Sequence, residues 1–117
     1  MDRLTSALWV SAYLRRVDLV GAYGALVRRG DASAGAIWIE IDHAAGIDLW
    51  APMVGEAARR FEKVMQGVVA QAVAERMERE ERFDSDLWRV SVQDPAGRSF
   101  LLEDEVGAAF LGDEDSR

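Results

Sequence analysis

The chain has 117 residues, of which 50% are hydrophobic and 30% charged, with a formal net charge of −7, no cysteine and a single histidine. This is the usual length of one domain, enough to bury roughly two thirds of the surface the unfolded chain exposes. Lack of cysteine excludes a disulfide framework, a thiolate metal site and a cysteine nucleophile, and the acidic balance argues against nucleic acid as a partner, since phosphate binding rests on Lys and Arg.

The charge is unevenly spread. Residues 1–30 hold five Arg against two Asp, whereas residues 101–117 hold six acids against Arg117. Lys63 is the only lysine and asparagine is absent, a usage that GC-rich codons produce. Residues 1–6 lack the basic-then-apolar pattern of a secretory leader, and no run of about 18 apolar residues occurs. A cytoplasmic protein without membrane contact is therefore expected.

Thr5 or Ser6 can cap a helix over residues 8–20, in which Val10, Leu14 and Val17 recur on one face and Gly21 supplies a stop. Tyr23, Ala25 and Val27 alternate in a first strand over residues 22–29, which ends at a Gly30-Asp31-Ala32-Ser33 turn. Residues 36–42 form the clearest strand, with Ile37, Ile39 and Ile41 on one side and Trp38, Glu40 and Asp42 on the other, a pattern that predicts one wet face. His43 begins a hairpin turn, and residues 47–53 return antiparallel until Pro52 weakens the ladder.

Residues 54–67 are ambiguous, with a short strand over 60–64 slightly favoured over an early helix start. Residues 68–82 read as a helix, with Val69, Ala72, Val73, Arg76 and Met77 in helical rhythm and favourable pairs Glu75/Arg79 and Glu78/Arg82. Its polar second half is expected to project into water. Residues 87–93 alternate as a strand, and Asp94-Pro95-Ala96-Gly97 predicts a turn with residues 98–102 returning as its hairpin partner. The expected architecture is a single α+β domain over residues 1–111, with an antiparallel or mixed sheet of four to six strands, an N-terminal helix and a second helix near 68–82. Residues 112–117, acidic and without apolar anchors, are expected to form a disordered tail.

Three blocks carry a family resemblance: Trp9-Val10-Ser11-Ala12 with Leu14-Arg15-Arg16, Val27-Arg28-Arg29-Gly30-Asp31 with Ala34-Gly35-Ala36, and Arg82-Phe83-Asp84-Ser85-Asp86-Leu87-Trp88. Together they cover residues 4–42 and 79–102, and the chain resembles the alphaproteobacterial domain-of-unknown-function family number 1491. The resemblance implies a bacterial cytoplasmic protein whose single domain fills the chain. It carries over no activity, cofactor or catalytic residue.

The residues themselves offer few chemical constellations. A lone His43 at a turn reads as an exposed loop histidine. Asp31, Glu40 and Asp42 provide the carboxylates of a metal-dependent hydrolase or nuclease-like enzyme, but their spacing matches no calcium loop and Glu40 and Asp42 suit a solvated strand face. Adjacent Arg28 and Arg29 must face opposite ways in a strand, so one needs a partner. Asp84 or Asp86 at the helix-to-strand junction could clamp it in a structural ion pair. Alternatively, Arg28, Arg29 and Arg82 over Trp88 form an anion or metabolite pocket. Trp38, opposite the isoleucines, would form an apolar interaction patch near Trp50 if no helix covers it. The reading that follows is a non-enzymatic interaction protein acting as a homo-oligomer, with no catalytic residue, no metal and no cofactor assigned and self-association as its partnership. The protein partner, if there is another, is unspecified by the sequence.

Overall fold

The computed structural model describes residues 3–55 and 58–107. Helix α1 (Ser6–Leu19) starts where the Thr5 hydroxyl accepts a hydrogen bond from the Leu8 amide at 3.3 Å, and stops at Val20 and a positive-φ Gly21. Its buried face is Trp9, Val10, Tyr13 and Val17, broader and more aromatic than the aliphatic spacing alone implies.

Five strands follow: β1 (Tyr23–Arg28), β2 (Ile37–His43), β3 (Gly46–Pro52), β4 (Phe61–Val68) and, after helix α2 (Ala70–Phe83), β5 (Trp88–Gln93). They form one mixed sheet in the order β1-β5-β2-β3-β4, in which only β2 and β5 run parallel. The chain is thus an α+β domain with two helices and a five-stranded sheet. The ambiguous segment resolves as strand: β4 runs to Val68, and α2 starts two residues later than the residue 68 expected from sequence.

β2 sits in the middle of this order, and that position overturns its expected wet face. Ile37, Ile39 and Ile41 pack beneath α1 with Trp88, Val90 and Val92 of β5 and with Trp50 and Phe61. On the opposite face Trp38 joins Leu49, Ala51, Val73, Met77 and Leu87 under α2. Each of these two layers hides several large side chains, and removing a buried Trp or Phe from such a layer costs about 3–5 kcal/mol.

The hairpin expected from residues 98–102 does not form. β5 is hydrogen-bonded on both sides, antiparallel to β1 and parallel to β2, so neither edge is free to receive a returning strand. Residues 98–102 instead turn away and lie along α1. The Tyr13 hydroxyl donates to the Ser99 carbonyl at 2.6 Å, and Arg16 donates to the Phe100 carbonyl at 2.7 Å. Phe100 adopts a left-handed φ of 60°, unusual for a bulky side chain, which breaks the extended run. A short 3-10 turn, Glu103–Glu105, follows, and Val106 makes a single bridge to Phe61 beside β4. The expected tail at 112–117 lies outside the described residues.

Candidate functional site

The junction at which Arg28 and Arg29 were expected to meet Asp84 and Asp86 forms, but not through the carboxylates. Arg28 donates to the Ser85 carbonyl at 2.8 Å and lies 4.0 Å from Glu81 of α2. The Asp84 carboxylate is engaged by the Asp86 amide at 3.0 Å, a local turn that takes the place of an ion pair. Backbone carries the rest of the junction, with the Asp31 amide bonded to the Asp86 carbonyl and the Trp88 indole N–H to the Asp31 carbonyl at 2.7 Å. Gly30 is needed here, because a Cβ would lie 2.6 Å from the Leu87 carbonyl carbon and from the Trp88 ring.

The anion pocket expected at Arg28, Arg29, Arg82 and Trp88 is not assembled. The Arg29 guanidinium stacks 5.3 Å from the Trp88 ring centroid, Trp88 is buried, and Arg82 is exposed in the last turn of α2. The hollow that does exist at this junction, about 290 Å3, is lined by Asp31, Asp84 and Asp86. Its charge repels an anion.

The tryptophan patch is likewise absent. Trp38 and Trp50 are 7% and 9% exposed and belong to different core layers, because Trp50 pairs in register with Ile39 and shares its face. α2 is the cover that Trp38 required, and Arg76 lies 5.3 Å over its ring. Among the carboxylates of the hydrolase alternative, Glu40 is ion-paired with Arg89, and Asp31 and Asp42 flank opposite ends of β2. They do not converge. His43 is half-buried rather than exposed: the Ala45 amide donates to its Nδ1 at 3.1 Å, which leaves Nε2 to donate to Asp48 at 2.9 Å. Asp48 also accepts the Gly67 amide and lies 3.7 Å from Lys63, so this group closes the β2–β3 turn onto β4.

Two features went unnoticed in the sequence. The first is a network along α1, centred on a buried Glu105. Its carboxylate accepts the Trp9 indole N–H at 3.0 Å, two Arg16 N–H groups at 2.9 and 3.1 Å, and the Leu102 amide at 2.8 Å. Burial works to raise the Glu105 pKa, but hydrogen bonds from Arg16, Leu102 and Trp9 outweigh it and hold the carboxyl below its ordinary value. The Tyr13 hydroxyl beside it is pushed up by burial. Next to this network Arg59 donates to the Leu4 carbonyl at 2.9 Å and lies over the Trp9 ring, while its buried Nε has no partner among the described residues. Burial, then the charge of Arg3, lowers the Arg59 pKa. The participants are about 50 and 100 residues apart in the chain, and the Arg59-Arg60 doublet is the one local signal that could have pointed to them.

The second feature is the edge of the sheet. β1 is a terminal strand whose segment from Tyr23 to Val27 contains neither charge nor proline, with Tyr23 62% and Val27 51% exposed. Leu19 and Val20 extend the apolar surface at its start. α2 packs chiefly on β3 and β4 and reaches β1 through Glu81, 4.0 Å from Arg28. The other edge, β4, differs: Glu62, Lys63 and Gln66 interrupt it, two register shifts distort its ladder with β3, and the Val106 bridge occupies its start.

A family model described as a protein of unknown function, DUF1491, matches residues 4–102. The chain belongs to the DUF1491 family. The match runs through residues 43–78, which the sequence blocks left unassigned. A crystal structure of a DUF1491 family protein from Caulobacter crescentus is 31% identical with a TM-score of 0.77, covering 90% of this chain and 98% of that one. A solution structure of a protein from A. tumefaciens is 36% identical with a TM-score of 0.73, covering 79% and 86%. An NMR structure of a C. crescentus family member gives 30% identity and a TM-score of 0.77, covering 90% and 97%. None of the curated proteins compared with the chain matches it. The DUF1491 relatives are bacterial, and no helix among the described residues is long and apolar enough to cross a membrane.

Proposed function

We propose that this DUF1491 protein is a non-catalytic cytoplasmic interaction protein that works as a homodimer joined through its β1 edges. The observation that carries the reading is the contrast between the two sheet edges. Sheet proteins protect exposed edges with charge, proline, bulges or a covering segment, because unpaired N–H and C=O groups template association. β4 has such protection, whereas β1 presents five uncharged residues, with Tyr23, Leu26 and Val27 exposed, and only a bulge near Val27. A second copy is the occupant that matches this edge on its own terms. Antiparallel pairing about a two-fold axis is self-complementary, and it brings the Arg28–Arg29 end of one strand to the Leu19–Tyr23 end of the other. There Asp18 offers opposite charge and Tyr23 offers a ring face to Arg28 of the partner subunit. A standard interface needs about 800 Å2 per partner, on the order of a tenth of the 7018 Å2 surface.

Sedimentation equilibrium over a concentration series tests the reading with Val27→Lys. Val27 is surface-exposed, so its replacement changes folding stability by no more than about 0.5 kcal/mol, yet it sets a charge into the uncharged edge on which the pairing rests. The expected result is a dimer for the wild type and a folded monomer for the variant. A wild type that stays monomeric at the highest concentration reached, or a variant that dimerises as well as the wild type, overturns it.

A further inference from the structure

A pocket of about 200 Å3 lies between the start of α1, the loop that leads into β2 and the β3–β4 connection. Arg3, Arg59 and Arg60 all line it, and no acidic residue is among the described residues of its wall. Between the guanidinium groups the wall is small and apolar: Ala34, Gly35, Ala36, Pro52 and Val54. In a chain of net charge −7, three arginines that line one pocket with no acidic residue among its described lining require an explanation. Of the nine other described arginines, Arg16, Arg28, Arg76, Arg89 and Arg98 each meet an acid within 4.0 Å, whereas Arg3, Arg59 and Arg60, like Arg15, Arg29, Arg79 and Arg82, form no such pair among the described residues.

Arg59 sharpens the point. One of its N–H groups is committed to the Leu4 carbonyl, and its buried Nε donates to nothing among the described residues. A buried donor left unpaired is costly, and a charged one more so. Desolvation first and then the neighbouring Arg3 lower its pKa, and the nearby Glu105 offsets them only in part. Such crowding destabilises the unliganded protein and is relieved by a bound anion, the opposite of what a structural ion pair does. The guanidinium fork matches two oxygens of a phosphate or carboxylate at once, so several forks select a compact ion with several oxygens.

From this geometry we infer that the Arg3–Arg59–Arg60 pocket binds a small polyoxyanion, of the size of phosphate or a short di- or tricarboxylate. The pocket is distinct from the β1 edge, and the two can be tested separately. The sheet order places β1 at one edge and the β3–β4 connection at the other.

The probes are inorganic phosphate and citrate, with chloride at matched ionic strength as the control, read by thermal unfolding and by amide chemical shifts. For the wild type the thermal midpoint rises by several degrees with phosphate or citrate and not with chloride, and the amides of Ala34, Gly35, Val54 and Gly55 shift saturably. A larger response to phosphate assigns the site to phosphorylated ligands, and a larger response to citrate assigns it to carboxylates. Arg60→Gln and Arg3→Gln fold with an unchanged or higher midpoint in anion-free buffer and weaken the anion response at least tenfold. Equal shifts for all three salts, shifts in amides far from the pocket only, or an undiminished response in both variants overturns the inference. If a variant does not fold, the wild-type amide shifts decide alone. Neither readout depends on whether the protein is dimeric.

Discussion

Replacing Glu105 by Ala removes one acceptor from four donor groups, and the structure sets the size of the loss. The Trp9 indole N–H and the Leu102 amide are left without their partner, and a buried neutral donor stranded in this way costs about 1–3 kcal/mol. The two Arg16 contacts add less than the 3–5 kcal/mol of a fully buried pair. The Arg16 side chain is 26% exposed and keeps its bond to the Phe100 carbonyl, so it rehydrates in part. Because the losses share one site they are not additive, and a net cost of about 3 kcal/mol is expected. In a domain of this size that lowers the thermal midpoint by roughly 12 °C. The pH dependence follows from the depressed Glu105 pKa. The unfolded chain binds this proton more readily than the native one, so the charge-dependent stabilisation is complete above the ordinary glutamate value of about 4.3. It is lost as pH falls through the lowered native value. Calorimetry at pH 7 and at successively lower pH should show the wild-type advantage shrinking, with a residue remaining because a protonated Glu105 still accepts from Trp9. A loss below about 1 kcal/mol at neutral pH, or a difference that does not change with pH, would refute the assignment of Glu105 as the charged tie between α1 and residues 98–105.

Asp94→Asn should cost about 1–2 kcal/mol at pH 7, because Asp94 accepts from the Arg98 amide and guanidinium at 2.9–3.0 Å and those bonds hold its pKa at about 2, down from 3.8. The contribution is present above pH 3.8 and lost as pH falls toward 2, so chemical denaturation curves of variant and wild type should converge at acid pH. Asp84→Ala and Asp86→Ala should each change stability by no more than about 0.5 kcal/mol and show no coupling to Arg28→Ala in a double-mutant cycle, since Arg28 bonds the Ser85 backbone; coupling above about 0.5 kcal/mol would restore the carboxylate clamp.

What the sequence displayed well was local. The apolar alternation of Ile37, Ile39 and Ile41, the helical rhythm through Val73 and Met77, and the turn at Asp94 to Gly97 each depend on neighbours a few residues apart, and all three occur where expected. What it concealed was which elements share a face. A strand with polar Glu40 and Asp42 looks half-wet until its place in the sheet is known; in the centre, Glu40 is covered and paired with Arg89 and Trp38 lies beneath α2. The same gap explains the hairpin error. Residues 98–102 had a suitable turn before them, but β1, which lies far earlier in the chain, already held the position they would have taken. Where a clamp between Arg28 or Arg29 and Asp84 or Asp86 was expected, Arg28 bonds the Ser85 carbonyl, because a carbonyl competes as an acceptor and carries no signature in the side-chain pattern.

The arginine pocket was hidden for a further reason, and that reason bears on how the protein works. Arg3 precedes the first helix, while Arg59 and Arg60 close a connection whose local pattern was ambiguous, so no periodicity joins them. Arg59 is held by the Leu4 carbonyl, but none of the three meets an acid within 4.0 Å among the described residues, unlike Arg16, Arg28, Arg76, Arg89 and Arg98. The placement of the two surfaces is also consistent with joint use. Pairing through β1 would extend the sheet at one edge and leave both β3–β4 connections at the far ends of the assembly, each with its pocket open. Anion binding and dimerisation would then be energetically independent unless the central strands transmit strain between them. The dimer dissociation constant should therefore be the same with and without saturating phosphate or citrate. A change of more than about fivefold, corresponding to a coupling near 1 kcal/mol, would show that β2 and β5 couple the pocket to the edge.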